Sequence, residues 1–173
     1  RRWLSFLSFA VLLPLFVPGV VLGMALLPWV RALGLWGTHV SLAAAHALWS
    51  LPLVYLVVQA ALADLDPDLE HAARGLGARP FTVFRRITLP MLAPALAVGG
   101  VIAFVLSLNE FFMALFLGTP AVETLPKVIW PELRYTLTPL VAAASGVTLL
   151  LTLAGLLVAA RLIGLDRLLG ERS

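Results

Sequence analysis

The sequence predicts an all-α, polytopic membrane protein. Composition points there first: 61% of the 173 residues are hydrophobic and 12% are charged, against about 25% charged in an ordinary soluble domain. The mean hydropathy is +1.02. Charge-free runs point there next, because Trp3 to Val30, Ala32 to Ala63, Ile87 to Asn109 and Tyr135 to Ala160 contain no Asp, Glu, Lys or Arg. A helix crossing a bilayer needs roughly 20 apolar residues, so all four runs are long enough. Buried core helices of a soluble protein are disfavoured, since a chain of this size lacks the amphipathic surface to wrap four of them.

The net charge of +3 does not indicate nucleic acid, because the basic residues sit at the ends of the apolar runs rather than among aromatic residues on a polar face. They read as topology markers. Nine of the twelve Lys and Arg residues fall at the start, in the charged loop after the second run and in the tail, and three fall on the opposite side. That asymmetry places the charged loop and both ends in the cytoplasm. The chain has no cysteine, which excludes disulfides and thiolate metal sites. The first residue is Arg, and Trp3 to Val30 is too long and lacks the cleavage site of a signal peptide, so the sequence is expected to begin inside a longer protein.

The first span is expected at about residues 3–30. Pro14, Pro18, Gly19 and Gly23 should bend or break it, because proline removes a backbone hydrogen bond that must be replaced inside the bilayer. The second, about 39–63, opens at Thr38-His39, carries the small residues Ala43, Ala44, Ala45 and Ala47 for close helix approach, and should kink at Pro52. The third is expected over about 91–117, with Gly99, Gly100 and Ala103 as a contact row. The segment Gly118 to Thr138, rich in proline and bearing Trp130 and Tyr135 as interfacial anchors, should hold a short surface helix. The fourth span is expected at about 139–161, with Ala142 to Gly146 as a second close-packing patch.

The only long charged insertion, residues 64–90, has the most structured chemistry. Asp66-Pro67 is a helix start, since Asp caps free amides and proline suits the first helical position. Asp68 and Glu70 then favour the positive end of the helix dipole, and Ala72-Ala73 form a small-residue face. Gly77 suits a left-handed stop, and Pro80 restarts a second helix. On that helix Phe81, Phe84 and Ile87 should share a face, with Leu89-Pro90 breaking it from the next span.

The spacing His71-Ala72-Ala73, Gly77 after three residues, Ile87 after nine, then Leu89-Pro90 resembles the EAA loop of the permease subunits of binding-protein-dependent ABC importers. The departure is His71, where that family usually has Glu, and Glu70 is rotated about 100° from it on a helix. His46 to Pro52, Ser107-Leu108-Asn109-Glu110-Phe111-Phe112 and Thr124-Leu125-Pro126 are similar to permeases of the spermidine/putrescine type, C-type arrangement. The resemblance covers nearly the whole chain as a transmembrane domain and matches the last four of the family's usual six spans. It implies a MetI-like core in a bacterial or archaeal plasma membrane, a second permease subunit or copy, two ATP-binding cassette subunits and a periplasmic or extracellular solute-binding protein. It also implies ATPase coupling through Asp68, Glu70, His71, Ala72, Ala73, Gly77, Ala78, Phe81, Ile87, Leu89 and Pro90. Docking of the binding protein would use Gly118 to Thr138. The implied solute is a polyamine or related small organic molecule, although related permeases carry phosphonates, iron or sulfate-class anions.

Independently of the resemblance, the chain lacks the G-x-x-x-x-G-K-[ST] pattern: Gly75-Leu76-Gly77-Ala78-Arg79 has no lysine or hydroxyl for phosphate and Mg²⁺. ATP-driven work must therefore arrive through a contact. Glu110, with Asn109 and Ser107 as candidate pathway residues, reads either as a site for a cationic solute or as a structural partner within the bundle. His39 and His46 share a helix face without acidic companions at metal-ligand spacing, so they read as structural histidines. No enzyme site, cofactor or metal is expected. An ion-coupled secondary carrier is the alternative, but it calls for several ionisable groups in mid-membrane and inverted repeats.

Overall fold

The computed structural model describes residues 2–135 and 138–163. The expected tail residues 164–173 lie outside it. The described residues form helices and connecting turns. Helix α1 (Arg2–Leu12) runs into a 3₁₀ turn (Leu13–Phe16), and α2 (Gly19–Ala32) follows. The two legs meet at 112°, so the first expected span is broken, and the break falls at Val17-Pro18. Gly23 lies within α2 and serves packing rather than bending: a Cβ there would sit 2.9 Å from Phe116 Cδ2 and 3.2 Å from the Phe112 carbonyl.

Helix α3 (His39–Ala63) starts where expected, with Thr38 Oγ1 accepting from the Ser41 amide at 3.2 Å and Ser41 Oγ returning a bond to the Thr38 carbonyl at 2.9 Å. One orphan amide at the helix start is thereby satisfied, and the Ser41 hydroxyl adds a second bond to a carbonyl that already accepts from Leu42. Helix α4 (Pro67–Gly75) and the single turn α5 (Pro80–Val83) occupy the charged insertion. A π-turn (Phe84–Thr88) then leads without a break into α6 (Leu89–Asn109). The expected break at Leu89-Pro90 is therefore absent. The Leu89 amide reaches back to the Phe84 carbonyl, five residues away, and this wider turn accommodates a proline that could neither donate nor fit in regular α geometry. The same widening rotates Ile87 away from the expected common face: Phe81 and Phe84 are exposed while Ile87 is half-buried.

The third span also ends earlier than expected. Helix α6 stops at Asn109, and a separate short helix, α7 (Phe112–Leu117), continues after Glu110-Phe111. Helix α8 (Leu125–Tyr135) is the expected surface helix, and α9 (Pro139–Ile163) the last span. Among the described residues three helices are long and apolar enough to cross a bilayer: His39–Ala63, Pro80–Asn109 and Val141–Leu162. A fourth span follows if the bent α1–α2 pair counts as one.

The core lies at the end of the bundle away from the charged insertion, around α7. Met113, Ala114 and Leu117 are fully buried and pack with Leu42, Ala45 and Val122, with Leu22, Leu26 and Trp49 around them. Helix α6 holds α3 on one side, where Gly99 meets Val54, and α9 on the other. Of the expected contact residues Gly99 packs, but Gly100 meets nothing within 4 Å. The Ala142 to Gly146 patch is likewise open at Gly146; α9 instead approaches α6 at Gly155, whose Cβ position lies 2.8 Å from Val105 Cγ2. On α3, Ala45 is buried while Ala43, Ala44 and Ala47 are exposed.

These approaches predict that Gly23→Val destabilises the full-length permease by about 1–3 kcal/mol, because side chain and backbone of α7 block the added methyls. Gly100→Ala should instead raise stability by about 0.4–1 kcal/mol, since the open helical position accepts the methyl and the unfolded chain loses freedom. Unfolding of the purified permease in mixed detergent micelles checks the pair; equal stabilities would contradict the α2–α7 packing.

Candidate functional site

The charged insertion is a two-helix projection at the base of α3 and α6. Asp66 Oδ1 accepts from the Asp68 amide at 2.9 Å and Pro67 occupies the first helical turn of α4, as the sequence implies. At the other end Gly77 has φ +82°. The Ala78 amide donates to the Ala73 carbonyl at 3.0 Å and the Gly77 amide to the Arg74 carbonyl at 2.9 Å. This paired closure satisfies the last carbonyls of the helix and turns the chain sharply. Leu76, 90% exposed at that turn, and Phe81 project into open space. Asp68 and His71 face each other across 3.8 Å, both well exposed.

Glu70 is the most connected residue of the projection. Its Oε2 accepts from Arg74 Nη2 at 3.0 Å, while its Oε1 accepts from the hydroxyl of Thr88 at 2.6 Å. The ion pair with Arg74 is an exposed i,i+4 contact worth about 0.3–0.5 kcal/mol. The bond to Thr88 is different in kind, since Thr88 is 7% exposed and belongs to the π-turn beneath α6. Of the other expected coupling residues, Ala72, Leu89 and Pro90 are exposed, and Ala73, Ala78 and Ile87 half-buried.

The second feature is a cleft of about 690 Å³ between α3, α6 and the start of α8. Its polar lining comes from His39, His46, Ser50, Ser107, Glu123 and Thr124, and its apolar wall includes Leu42, Phe104, Leu108 and Leu125. His46 Nδ1 and Ser107 Oγ share a 2.6 Å hydrogen bond that ties α3 to α6 across the cleft wall. Ser50 Oγ donates to the His46 carbonyl at 3.0 Å.

Ser107 is thus a lining residue, whereas Asn109 and Glu110 are not among those that line the cleft. Asn109 Nδ2 donates to the Val105 carbonyl at 2.8 Å and to Thr152 Oγ1 at 3.3 Å, joining α6 to α9. Glu110 is 5% exposed. Its Oε1 accepts from the Phe112 amide at 2.9 Å and its Oε2 from the Met113 amide at 2.7 Å, so the carboxylate caps α7. His46 Nε2 stands 3.8 Å from Oε2. The sequence does not mark His39, His46 or Glu123 as cleft residues: the histidines lie on an apolar helix without acidic companions, and Glu123 is one acid in a proline-rich connection. The available signal was Glu123 beside Thr124-Leu125-Pro126.

The described residues thus form a bundle of apolar helices with a capped polar projection at one end and a mixed cleft toward the other. The chain belongs to the family described as binding-protein-dependent transport system inner membrane component, which matches residues 1–169. It is 32% identical over 170 residues to the spermidine/putrescine transport system permease protein PotC of Escherichia coli strain K12, covering 98% of this chain and 64% of that protein. It is 33% identical over 162 residues to the putrescine transport system permease protein PotI of the same organism, covering 86% and 54%. A third relative is the molybdenum transport system permease protein ModB of Mycobacterium bovis, 38% identical over 135 residues, covering 69% and 51%. The chain therefore spans between about half and two thirds of the length of these relatives.

The capping geometry predicts that Glu110→Gln destabilises the permease by about 1–3 kcal/mol, because an amide offers one acceptor where the carboxylate meets two donors and leaves a buried N–H unmatched. The amount of folded permease in the membrane and its unfolding midpoint check this. Wild-type values for both would show that the cap is dispensable.

Proposed function

We propose that the chain is the membrane-spanning part of a permease subunit in an ATP-driven importer of organic cations of the polyamine kind. The observation that carries the reading is the projection of residues 64–90: its EAA-type spacing coincides with a capped helix, a left-handed stop at Gly77 and an exposed tip. Family membership and the transport systems named for the relatives support it. In this reading the projection faces the cytoplasm, which the excess of basic residues on that side supports, and its tip docks on an ATP-binding cassette subunit. A second permease subunit or copy covers the apolar faces left open, and a solute-binding protein delivers its cargo on the far side. Nucleotide-driven closure shifts α4 and α5, the spans rearrange, and the solute route opens to the other face.

The chemistry of the cleft favours a cation. Its lining includes the carboxylate of Glu123, two imidazoles and several hydroxyls, with neither Lys nor Arg among the described residues that line it. An oxyanion such as molybdate, the cargo class in the name of one relative, would meet the Glu123 carboxylate without a basic side chain in the described lining to offset it. Glu110 acts from behind the cleft wall, holding α7 and standing beside His46, rather than meeting the solute.

Reconstitution of the full-length permease with its ATPase and binding protein tests the reading, using labelled spermidine and molybdate in parallel. Spermidine uptake that requires ATP is expected, and Glu123→Gln should raise the half-saturating concentration about tenfold through loss of one charged contact. Uptake of molybdate without spermidine would overturn the cation assignment. In the same system Gly77→Val, which forces a β-branched residue into positive φ, should lower recovery of the ATPase with the permease; wild-type recovery would remove the projection from the contact.

A further inference from the structure

The coupling reading leaves a mechanical question: a helix joined to the bundle only by turns would swing under load instead of moving a span. Helix α4 is linked to α3 through Asp64–Asp66 and to α5 through Leu76–Arg79, and both links are short irregular segments. A side-chain hydrogen bond crosses from α4 to the helix beneath it, from Thr88 Oγ1 to Glu70 Oε1, 18 residues apart in sequence and 2.6 Å in space. It lands on the last residue of the π-turn, immediately before α6. Arg74 holds the other oxygen of the same carboxylate, which keeps Glu70 turned toward α6. A pocket of about 210 Å³ lies beside the pair, lined by Leu62, Leu69, Ile87 and Met91 among others. The carboxylate is charged and the hydroxyl buried, which makes the bond stronger than a neutral one.

We propose that the Glu70–Thr88 hydrogen bond is the positioning tie that makes α4 and the base of α6 move as one lever, so that displacement of the docked helix reaches the solute route. It rests on the importer reading above. Glu70 is distinct from the neighbouring His71: the exposed imidazole faces outward with Asp68, while Glu70 turns inward. Removing the bond releases α4 to swing without removing the docking tip, because Leu76 and Phe81 lie elsewhere on the projection and Thr88 is buried beneath it.

The test is the ratio of spermidine transported to ATP hydrolysed by the reconstituted full-length complex, with ATPase recovery measured alongside. Thr88→Val keeps shape and removes the hydroxyl; ATPase recovery should stay at the wild-type level while the transport-to-hydrolysis ratio falls about tenfold, the worth of one hydrogen bond to a charged group. Glu70→Ala should lower the ratio equally, and the double variant should be no worse than either single one, since both remove the same contact. Thr88→Ser, which restores the hydroxyl, should restore the ratio. An unchanged ratio in Thr88→Val, additive losses in the double variant, or failure of Thr88→Ser to rescue would each overturn the tie. A wild-type permease that recruits no ATPase would instead overturn the importer reading, a result separate from any of these.

Discussion

Inside a bilayer every backbone amide must find a partner within the protein, and in this chain the demand is sharpest at Glu110-Phe111, where α6 stops before α7 begins. A broken helix at membrane depth leaves amides with no preceding carbonyls. The carboxylate of Glu110 takes two of them, Phe112 and Met113, and the rest of the far end follows from that. With its start satisfied, α7 can bury Met113, Ala114 and Leu117 against α2 and α3. Trp36 Nε1 then reaches the Phe116 carbonyl at 3.2 Å and the Gly37 amide the Leu117 carbonyl at 3.1 Å, closing the opposite end of the short helix. Gly23 lets α2 come close enough to make this packing dense.

At the other end polar contacts do a different task. The projection buries little apolar surface, so capping and side-chain hydrogen bonds shape it rather than a core. Asp66 starts α4, Gly77 stops it, and Glu70 fastens it to Thr88. Between the two ends, α5, the π-turn and α6 form one continuous helix from Pro80 to Asn109, and it passes from the tied projection to the Ser107–His46 contact at the cleft. One helix thus connects the element proposed to receive work with the wall proposed to guide solute. The π-turn at Phe84–Thr88 lies between projection and span.

The spans were legible because charge-free runs of sufficient length have few alternatives, and the start and end of α4 were legible because Asp-Pro and Gly are local signals. What escaped the sequence depends on residues far apart. The break after Asn109 needs a carboxylate in place of helix continuation, a choice favoured by the packing of α7 on α2 and α3 rather than by local propensity. The π-turn resolves a proline conflict in a way that local rules would resolve as a break. Small-residue rows marked Gly99 correctly but also Gly100 and Gly146, since periodicity does not say which face a neighbour covers. The His46–Ser107 bond joins positions 61 residues apart, and Glu70 was legible as a first-turn acid but not as a tie.

The absence of native cysteine in these 173 residues permits the most direct test of the central claim, that the projection of residues 64–90 is the cytoplasmic contact for an ATPase. A single cysteine introduced by Leu76→Cys in the full-length permease, assembled in native membranes, should react with a membrane-impermeant thiol reagent from the cytoplasmic side alone and crosslink to the ATP-binding subunit. A cysteine introduced by Trp130→Cys on α8 should do neither. Labelling of Leu76→Cys from the outer side, or a crosslink to the ATPase from position 130 and not from 76, would contradict the account.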